Sequence, residues 1–348
     1  MKRMMLFIAG ILIHINLFAQ PPLSGDYTIG GSSPDFAGFP DAITAVHNNG
    51  ISGPVNFHIR PGVYEPENAG EAVISILDTI AGVGSTNRIT FQPDASSGGT
   101  VDNVILQTPQ ATTALNEGSI IEIRSDYITI QQLTLQNADT TSGSKISPLI
   151  WVTVAQGAND VSGISVIECK LFGASTASRA RSGFGCGTTS YNFVLQDNLV
   201  TEVHDGITFP TQSATTHALQ IVGNQLSDLQ TYLNNLSAEV GTAIQIGRCN
   251  DAVVQGNEID YGGGSSGLRA ISLSSADNFL IDGNRIVSLS GGNGAGVNDN
   301  FRAIQVSNFY RPNGSGQISN NMIAGIYAQV RSGIDISNGN NIDVFHNS

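Results

Sequence analysis

Residues 254–259 read V-Q-G-N-E-I, an apolar segment that ends in Asn and is followed by another apolar position. Related phrases along the second half of the chain are V-L-Q-D-N-L, I-V-G-N-Q-L, I-D-G-N-R-I, I-S-N-N-M-I and V-F-H-N-S. Their asparagines are 26, 33, 27, 37 and 26 residues apart and are Asn198, Asn224, Asn257, Asn284, Asn321 and Asn347. This period, with insertions, indicates stacked repeats rather than a domain with one closed core.

A second phrase precedes each Asn phrase, as in A-I-Q-I at residue 243, A-I-S-L at residue 270 and A-I-Q-V at residue 303. Two short β segments per period, with no helical pattern between them, predict an all-β solenoid. Coils stacked about 4.8 Å apart turn their apolar side chains into continuous interior columns. We expect the repeated Asn to form a structural ladder, bonding the coils above and below while its own backbone takes the left-handed conformation.

The N-terminal region has a different pattern. Phe39, Ala42, Ile43 and Val46 lie at helical spacing and Gly50 follows as a stop, which predicts one helix over residues 39–49 that caps the solenoid. We expect a signal peptide at 1–19, an N-terminal segment with the cap at 20–66, and coils at 67–348. The chain stops within a coil, so we expect a truncated sequence.

The first residues indicate export. A basic start at Lys2 and Arg3, a largely apolar segment at 4–18 and the small Ala19 are typical of a cleavable secretory signal. We therefore predict a secreted or cell-surface protein without membrane insertion of the mature chain. The formal charge of −13 argues against nucleic acid as a partner. The three cysteines are an odd number without C-x-x-C spacing, and Cys169 takes the Asn position of its coil, so we expect packed thiols.

A family resemblance rests on the predicted helix, the segment G-P-V-N-F-H-I-R-P-G-V-Y-E at 53–65 and the G-N-x-I bends. Together they resemble the right-handed parallel β-helix superfamily of pectate-lyase type, from residue 26 to the end. The resemblance implies an all-β right-handed parallel β-helix with an N-terminal capping helix. The signal and the segment at 25–36 are similar to large exported surface proteins of the Bacteroidetes.

The resemblance leaves the activity open, because this fold is shared by lyases, hydrolases and binding proteins. The N-T-D, D-D and G-H-G signatures of the resembling pectin hydrolases are absent from this chain. Related lyases use an Arg or Lys base and a Ca²⁺ held by several carboxylates. The exposed positions of the second phrase supply one carboxylate and are Thr208, Gln245, Ser272, Gln305 and Asp335. We therefore predict no metal and no cofactor; Ca²⁺ is an option only if the protein is a lyase.

An arginine corner is the strongest candidate site. Four of six coils place an arginine at nearly the same corner just before the second phrase, and these are Arg181, Arg269, Arg302 and Arg331, with Ser182 and Ser332 following the first and the last. Guanidinium groups bind carboxylate or sulfate in bidentate fashion, and variable insertions enter beside this corner. The predicted binding set therefore adds the polar Gln245 and Gln305 and the aromatic Tyr232 and Phe301. The alternative is that each Arg pairs locally.

Catalytic residues are not identified by the sequence; the candidates are His204, Asp205 and Arg269. A lone His-Asp at a turn is more often structural than catalytic. Our first hypothesis is a monomeric binding or scaffolding module for anionic polysaccharide. A uronate-specific polysaccharide lyase is the second, and a structural stalk or adhesin without glycan binding is the third.

Overall fold

The computed structural model of the protein describes most of the chain from residue 20 onward. Its described residues are 20–68, 70–108, 118–138, 147–174, 180–209, 214–229, 233–234, 237–238, 241–260, 269–287, 301–307, 315–324, 330–337 and 341–348. Within these ranges the fold is a solenoid of four parallel sheets with one α-helix, Phe39–Asn49. The predicted right-handed parallel β-helix with an N-terminal capping helix is confirmed. The predicted signal, 1–19, lies outside the described residues.

Each full coil passes through four sheets, which we number in the order the chain visits them. The strands of sheet I are Ile74–Ile76, Ile121–Ile123, Ile150–Val152, Ser182–Cys186, Asp205–Thr208, Thr242–Ile246, Arg269–Ser274, Phe301–Ser307 and Val330–Ser337. The strands of sheet II are Asp160–Ser162, Thr189–Tyr191, Thr215–His217, Arg248–Asn250 and Ala276–Asp277.

The other two sheets flank the Asn bend. The strands of sheet III are Leu23–Ile29, Ile51–Ile59, Ile89–Pro93, Ile128–Gln131, Ser165–Ile167, Val194–Gln196, Gln220–Val222, Val253–Gln255, Phe279–Asp282, Gly316–Ser319 and Ile342–Phe345. The strands of sheet IV are Gly62–Tyr64, Val104–Gln107, Thr134–Gln136, Lys170–Phe172, Leu199–Thr201, Gln225–Ser227, Glu258–Asp260, Arg285–Val287 and Met322–Ile323. A short 3-10 helix, Ala95–Ser97, and an antiparallel pair, Leu233–Asn234 with Ser237–Ala238, are additions to the coils.

Identical positions of successive coils are in register, which builds the core. On sheet I, for example, Ile244 pairs with Ile271 and Ile271 with Ile304, and all three are fully buried. Ile259 and Ile286 form the corresponding column on sheet IV. Because the side chains of a strand alternate between its two faces, this register also stacks the outward-facing positions into columns.

The repeat asparagines form a continuous ladder at the bend between sheets III and IV. The side chain of each donates to the Oδ1 of the next at 2.9–3.0 Å, from Asn198 through to Asn347. The same Oδ1 also accepts the backbone N–H of the preceding ladder residue, and in the first step this donor is Cys169. The ladder therefore satisfies buried polar groups that no strand pairing reaches.

The predicted left-handed backbone at these asparagines is wrong by one position. The left-handed residues are those immediately before them, such as Asp197 at φ 54°, Gly256 at φ 64° and Asn320 at φ 56°. The residue before the Asn makes the sharp turn, and this leaves the Asn side chain directed into the bend.

The helix covers the N-terminal end of the core. Its buried residues are the four that the spacing predicted, Phe39, Ala42, Ile43 and Val46. Gly50 ends the helix at φ 67°, where a Cβ would lie 2.9 Å from the carbonyl oxygen of Ala81. Strands Ile51–Ile59 and Gly62–Tyr64, which precede the predicted start of the coils at 67, already belong to sheets III and IV. None of the helices among the described residues is long and apolar enough to cross a membrane.

Candidate functional site

The outer face of sheet I presents a line of polar side chains along the solenoid axis. We call it the front column, and its members pair in register from coil to coil: Thr208, Gln245, Ser272, Gln305 and Asp335. Four of them are partly exposed, whereas Ser272 is buried. Its short side chain lies between the longer Gln245 and Gln305, which accounts for this. Successive members are one coil, about 4.8 Å, apart.

A second column lies three residues before the front column in each strand. We call it the arginine column, and its members are Asp205, Thr242, Arg269, Arg302 and Ser332. The guanidinium of Arg302 forms an ion pair with Asp335, with Nε 2.5 Å from Oδ2. Both side chains are less than one-third exposed. The two columns therefore meet at this ion pair.

Arg269 belongs to the same electrostatic cluster. Burial lowers the pKa of its guanidinium, and the neighbouring Arg302 lowers it further, while Asp335 acts in the opposite direction. Two guanidinium groups of adjacent coils therefore lie in one cluster on an otherwise acidic protein, and Asp335 is paired with one of them. A pair of guanidinium groups favours an anionic ligand.

Register brings only part of the predicted arginine corner together. Arg181 precedes Ser182, and Ser182 is the residue that pairs with Asp205. In the last strand of sheet I the pairs from Arg302 onward keep one register, which places Ser332 rather than Arg331 opposite Arg302; Arg331 is the extra residue where the register shifts between Phe301 and Arg302. Tyr232 and the side chains of Phe301 and Arg331 lie outside the described residues, as do most of the predicted loop insertions.

His204 and Asp205 connect neighbouring coils. His204 is 5% exposed, and its Nδ1 lies 3.0 Å from Asp205 Oδ2. The other carboxylate oxygen of Asp205 accepts the backbone N–H of Thr242 from the next coil at 2.7 Å. A general base must reach its substrate, so this burial argues against His204 as a catalytic residue. In the described part of the chain, no three His, Cys, Asp or Glu side chains lie close enough to hold a metal ion.

The three thiols are buried and free. Desolvation raises the pKa of Cys169 to about 12, of Cys186 to about 11 and of Cys249 to about 12. Because only the thiolate reacts, a raised pKa removes the reactive form at neutral and mildly alkaline pH. These cysteines are core residues, as the sequence predicts for Cys169.

This environment predicts thiol behaviour. We expect dithionitrobenzoate to label none of the three cysteines of the native protein at mildly alkaline pH, and to label all three in denaturant. Absorbance of the released thiolate measures the labelling. Rapid labelling of the native protein would contradict the burial of these side chains.

Trp151 is a partly exposed aromatic residue of sheet I that the sequence analysis does not single out. Trp151 lies on sheet I in register with Glu122 of the preceding coil and Gly185 of the following one, and it is partly exposed. It lies within the predicted coils, but the packing of its indole depends on glycines more than thirty residues later. The available signal was weak: the only Trp of the chain, followed by the alternating Gly183, Gly185 and Gly187.

Comparison with known proteins identifies the fold. No protein-family model and no curated protein matches the chain. A rhamnogalacturonan lyase structure has a TM-score of 0.56 at 12% identity and covers 93% of this chain and 88% of its own. The chain therefore shares the parallel β-helix fold with that protein, and the predicted pectate-lyase-like resemblance is confirmed for the fold.

Two further structures are more distant. A lacto-N-biosidase from Eubacterium ramulus has a TM-score of 0.47 at 13% identity, covering 92% of this chain and 68% of its own. An alginate lyase from Paenibacillus sp. str. FPU-7 has a TM-score of 0.40 at 10% identity, covering 93% and 99%. At 10–13% identity, two proteins can share a fold and differ in the chemistry of their sites. The function of this chain is therefore argued from its own residues.

Proposed function

We propose that the protein is an exported binding module that holds anionic polysaccharide along the outer face of sheet I. The observation that supports this proposal is the register that aligns Arg269 and Arg302 beside the front column. A linear polymer needs contacts repeated along its length, and a parallel solenoid supplies one set per coil. Amide and hydroxyl groups bind sugar hydroxyls, while guanidinium groups bind carboxylate or sulfate.

Export is part of the proposal and rests on the signal-like sequence at 1–19. A polysaccharide ligand fits an exported protein, because such polymers are abundant outside the cell. Mass spectrometry of protein collected from the culture medium tests this part, since cleavage after Ala19 gives a mature chain that begins at Gln20. Retention of the uncleaved chain inside the cell would contradict it.

Removal of both arginines should weaken binding strongly. Charge-assisted hydrogen bonds contribute about 1.5–3 kcal/mol each, so we expect Arg269→Ala with Arg302→Ala to lower affinity for polygalacturonate about 100-fold. Affinity electrophoresis in gels that contain the polymer measures this loss. Arg285→Ala is a matched control, because Arg285 is half exposed and pairs with Glu258 on sheet IV. Equal retention of the double variant and the control would contradict the proposed site.

Release of Arg302 from its internal partner should have the opposite effect. Asp335→Asn removes the carboxylate that competes with a ligand for Arg302, so we expect retention of polygalacturonate to increase several-fold at low salt. The increase should disappear in Asp335→Asn with Arg302→Ala. If Asp335→Asn instead weakens binding, Asp335 is itself a ligand contact and the division of roles proposed here is wrong.

A uronate lyase is the second candidate, and the Arg302–Asp335 pair across adjacent coils is the observation that favours it. Lyase action would place an unsaturated uronate at the new chain end, which absorbs in the ultraviolet. We would incubate the protein with polygalacturonate, with and without Ca²⁺, and follow the ultraviolet absorbance. A rise in absorbance under either condition would show that the protein is a lyase and would overturn the binding proposal. If the wild-type protein neither cleaves nor retains any uronate or sulfated polymer, both candidates are wrong and the third hypothesis, a structural stalk, remains.

A further inference from the structure

We propose that the indole of Trp151 is a sugar-stacking subsite of the same face, placed toward the N-terminal end of the solenoid. This inference rests on the proposed function, because it extends that site and names the ligand as an oligosaccharide rather than a single sugar. Its evidence is independent of the arginines and comes from the packing around the indole.

The indole of Trp151 lies against the next coil, where two glycines leave room for it. A Cβ at Gly185 would lie 2.9 Å from Cε3 of the indole, and a Cβ at Gly187 would lie 2.7 Å from both Cη2 and Cζ2. The six-membered ring of Trp151 therefore extends over both glycines. At Gly185 a Cβ would also lie 2.6 Å from Cγ of Pro148.

The backbone does not explain these glycines. Neither Gly185 nor Gly187 has a left-handed φ, so an alanine would be conformationally acceptable at both positions. At Gly187 the missing side chain makes room for the indole alone, and at Gly185 it makes room for the indole and for Pro148. A large aromatic ring fixed against the protein before a ligand arrives costs little entropy on binding, which is a property of preorganised sites.

Polar groups border the ring on both sides along the axis. Glu122, in register one coil before Trp151, holds Arg124 through Oε1, which accepts from Nε at 2.9 Å and from Nη2 at 2.6 Å. On the other side, Thr208 follows Gly185 in register and begins the front column. A pyranose ring has an apolar C–H face and hydroxyl groups around its edge. An indole face between an ion pair and a hydroxyl matches this pattern.

The position of Trp151 sets the length of the ligand. Four coil-to-coil steps separate its strand from that of Arg269, which is about 19 Å at the spacing of parallel strands. A monosaccharide cannot contact both, so the two parts of the face bind one ligand only if it is a chain of several sugars. We therefore expect affinity to increase with the length of a galacturonic acid oligomer until the oligomer spans both parts.

The single Trp of this chain gives a direct test, because all indole emission reports on the proposed subsite. We expect galacturonic acid oligomers of increasing length to change the intensity and wavelength of emission. The oligomer concentration at half of this change should equal the concentration at half-maximal retention in affinity electrophoresis. Trp151→Ala should lower affinity for the long oligomers about tenfold, while Trp151→Phe should retain most of it. Arg285→Ala is again the control and keeps the full emission response.

The outcomes separate this inference from the function on which it rests. Retention of long oligomers without any change in emission, together with equal affinity of wild type and Trp151→Ala, would overturn the subsite and leave the arginine site intact. Retention of no uronate polymer would overturn both. If circular dichroism shows that Trp151→Ala does not fold, a second measurement on the wild-type protein takes its place. Bound oligomer should protect the indole from quenching by acrylamide, and absence of protection would overturn the subsite.

Discussion

Replacement of Asn257 by Ala will lower the free energy of unfolding by about 4 kcal/mol, because four buried hydrogen bonds lose one partner each. Asn257 is 1% exposed. Its Oδ1 accepts from the backbone N–H of Asn224 at 2.9 Å and from Asn224 Nδ2 at 3.0 Å. Its own Nδ2 donates to the Ile221 carbonyl and to Asn284 Oδ1, both at 2.9 Å. Alanine removes one partner from each of these groups in a buried bend.

The matched control is Asn347→Ala in the last described coil. Asn347 makes the same kinds of contact, donating to the carbonyl oxygens of Ile318 and Phe345, but it is partly exposed, so water can replace them. We expect a loss of about 1 kcal/mol there. Urea denaturation followed by circular dichroism measures both variants. Equal losses for the central and terminal asparagines would show that burial does not set the contribution of the ladder.

Phe57→Ala is the second substitution with a large expected effect, a loss of about 3–5 kcal/mol. Phe57 is fully buried and stacks on Phe91 of the next coil, with ring centroids 5.0 Å apart and planes at 26°. Phe36 contacts it edge-on at 5.8 Å. Phe39, on the helix, contacts Phe91 at 6.2 Å. Truncation of Phe57 therefore leaves a cavity where the cap meets the first coils.

This variant should also loosen the cap. We expect Phe57→Ala to increase proteolysis within Phe39–Asn49 in addition to lowering stability. Val63→Ala is the control, because Val63 is 56% exposed and its truncation should change stability by at most about 0.5 kcal/mol. Similar losses for the two variants would contradict a close-packed aromatic cluster beneath the helix.

The features that the sequence predicts well are those repeated in every coil. The period of Asn257 and its equivalents predicts the ladder, because only a parallel stack places six such residues in one line. The four apolar positions of Phe39–Asn49 predict the helix and its buried face. In both cases, residues close in sequence, or at a constant spacing, determine the contact.

Features that depend on a single coil are not predictable in this way. In the last strand of sheet I, Ser332 rather than Arg331 takes the position that Arg302 has in its strand, and Arg331 is the extra residue of a register shift. The sequence places Arg331 four residues before Asp335 and Arg302 three before Gln305, but a corner defined only by arginines near the start of each strand does not use this difference. The position of the Trp151 indole likewise depends on Gly185 and Gly187 in another coil, so a window around the Trp contains no sign of it.

A crystal structure of the protein with a long galacturonic acid oligomer tests whether a chain of anionic sugars lies along the outer face of sheet I. We expect difference density that runs along the solenoid axis from Trp151 past Gln245 to the pair of Arg269 and Arg302, with carboxylates at the arginines. Density for the oligomer on another sheet, with sheet I unoccupied, would contradict this proposal.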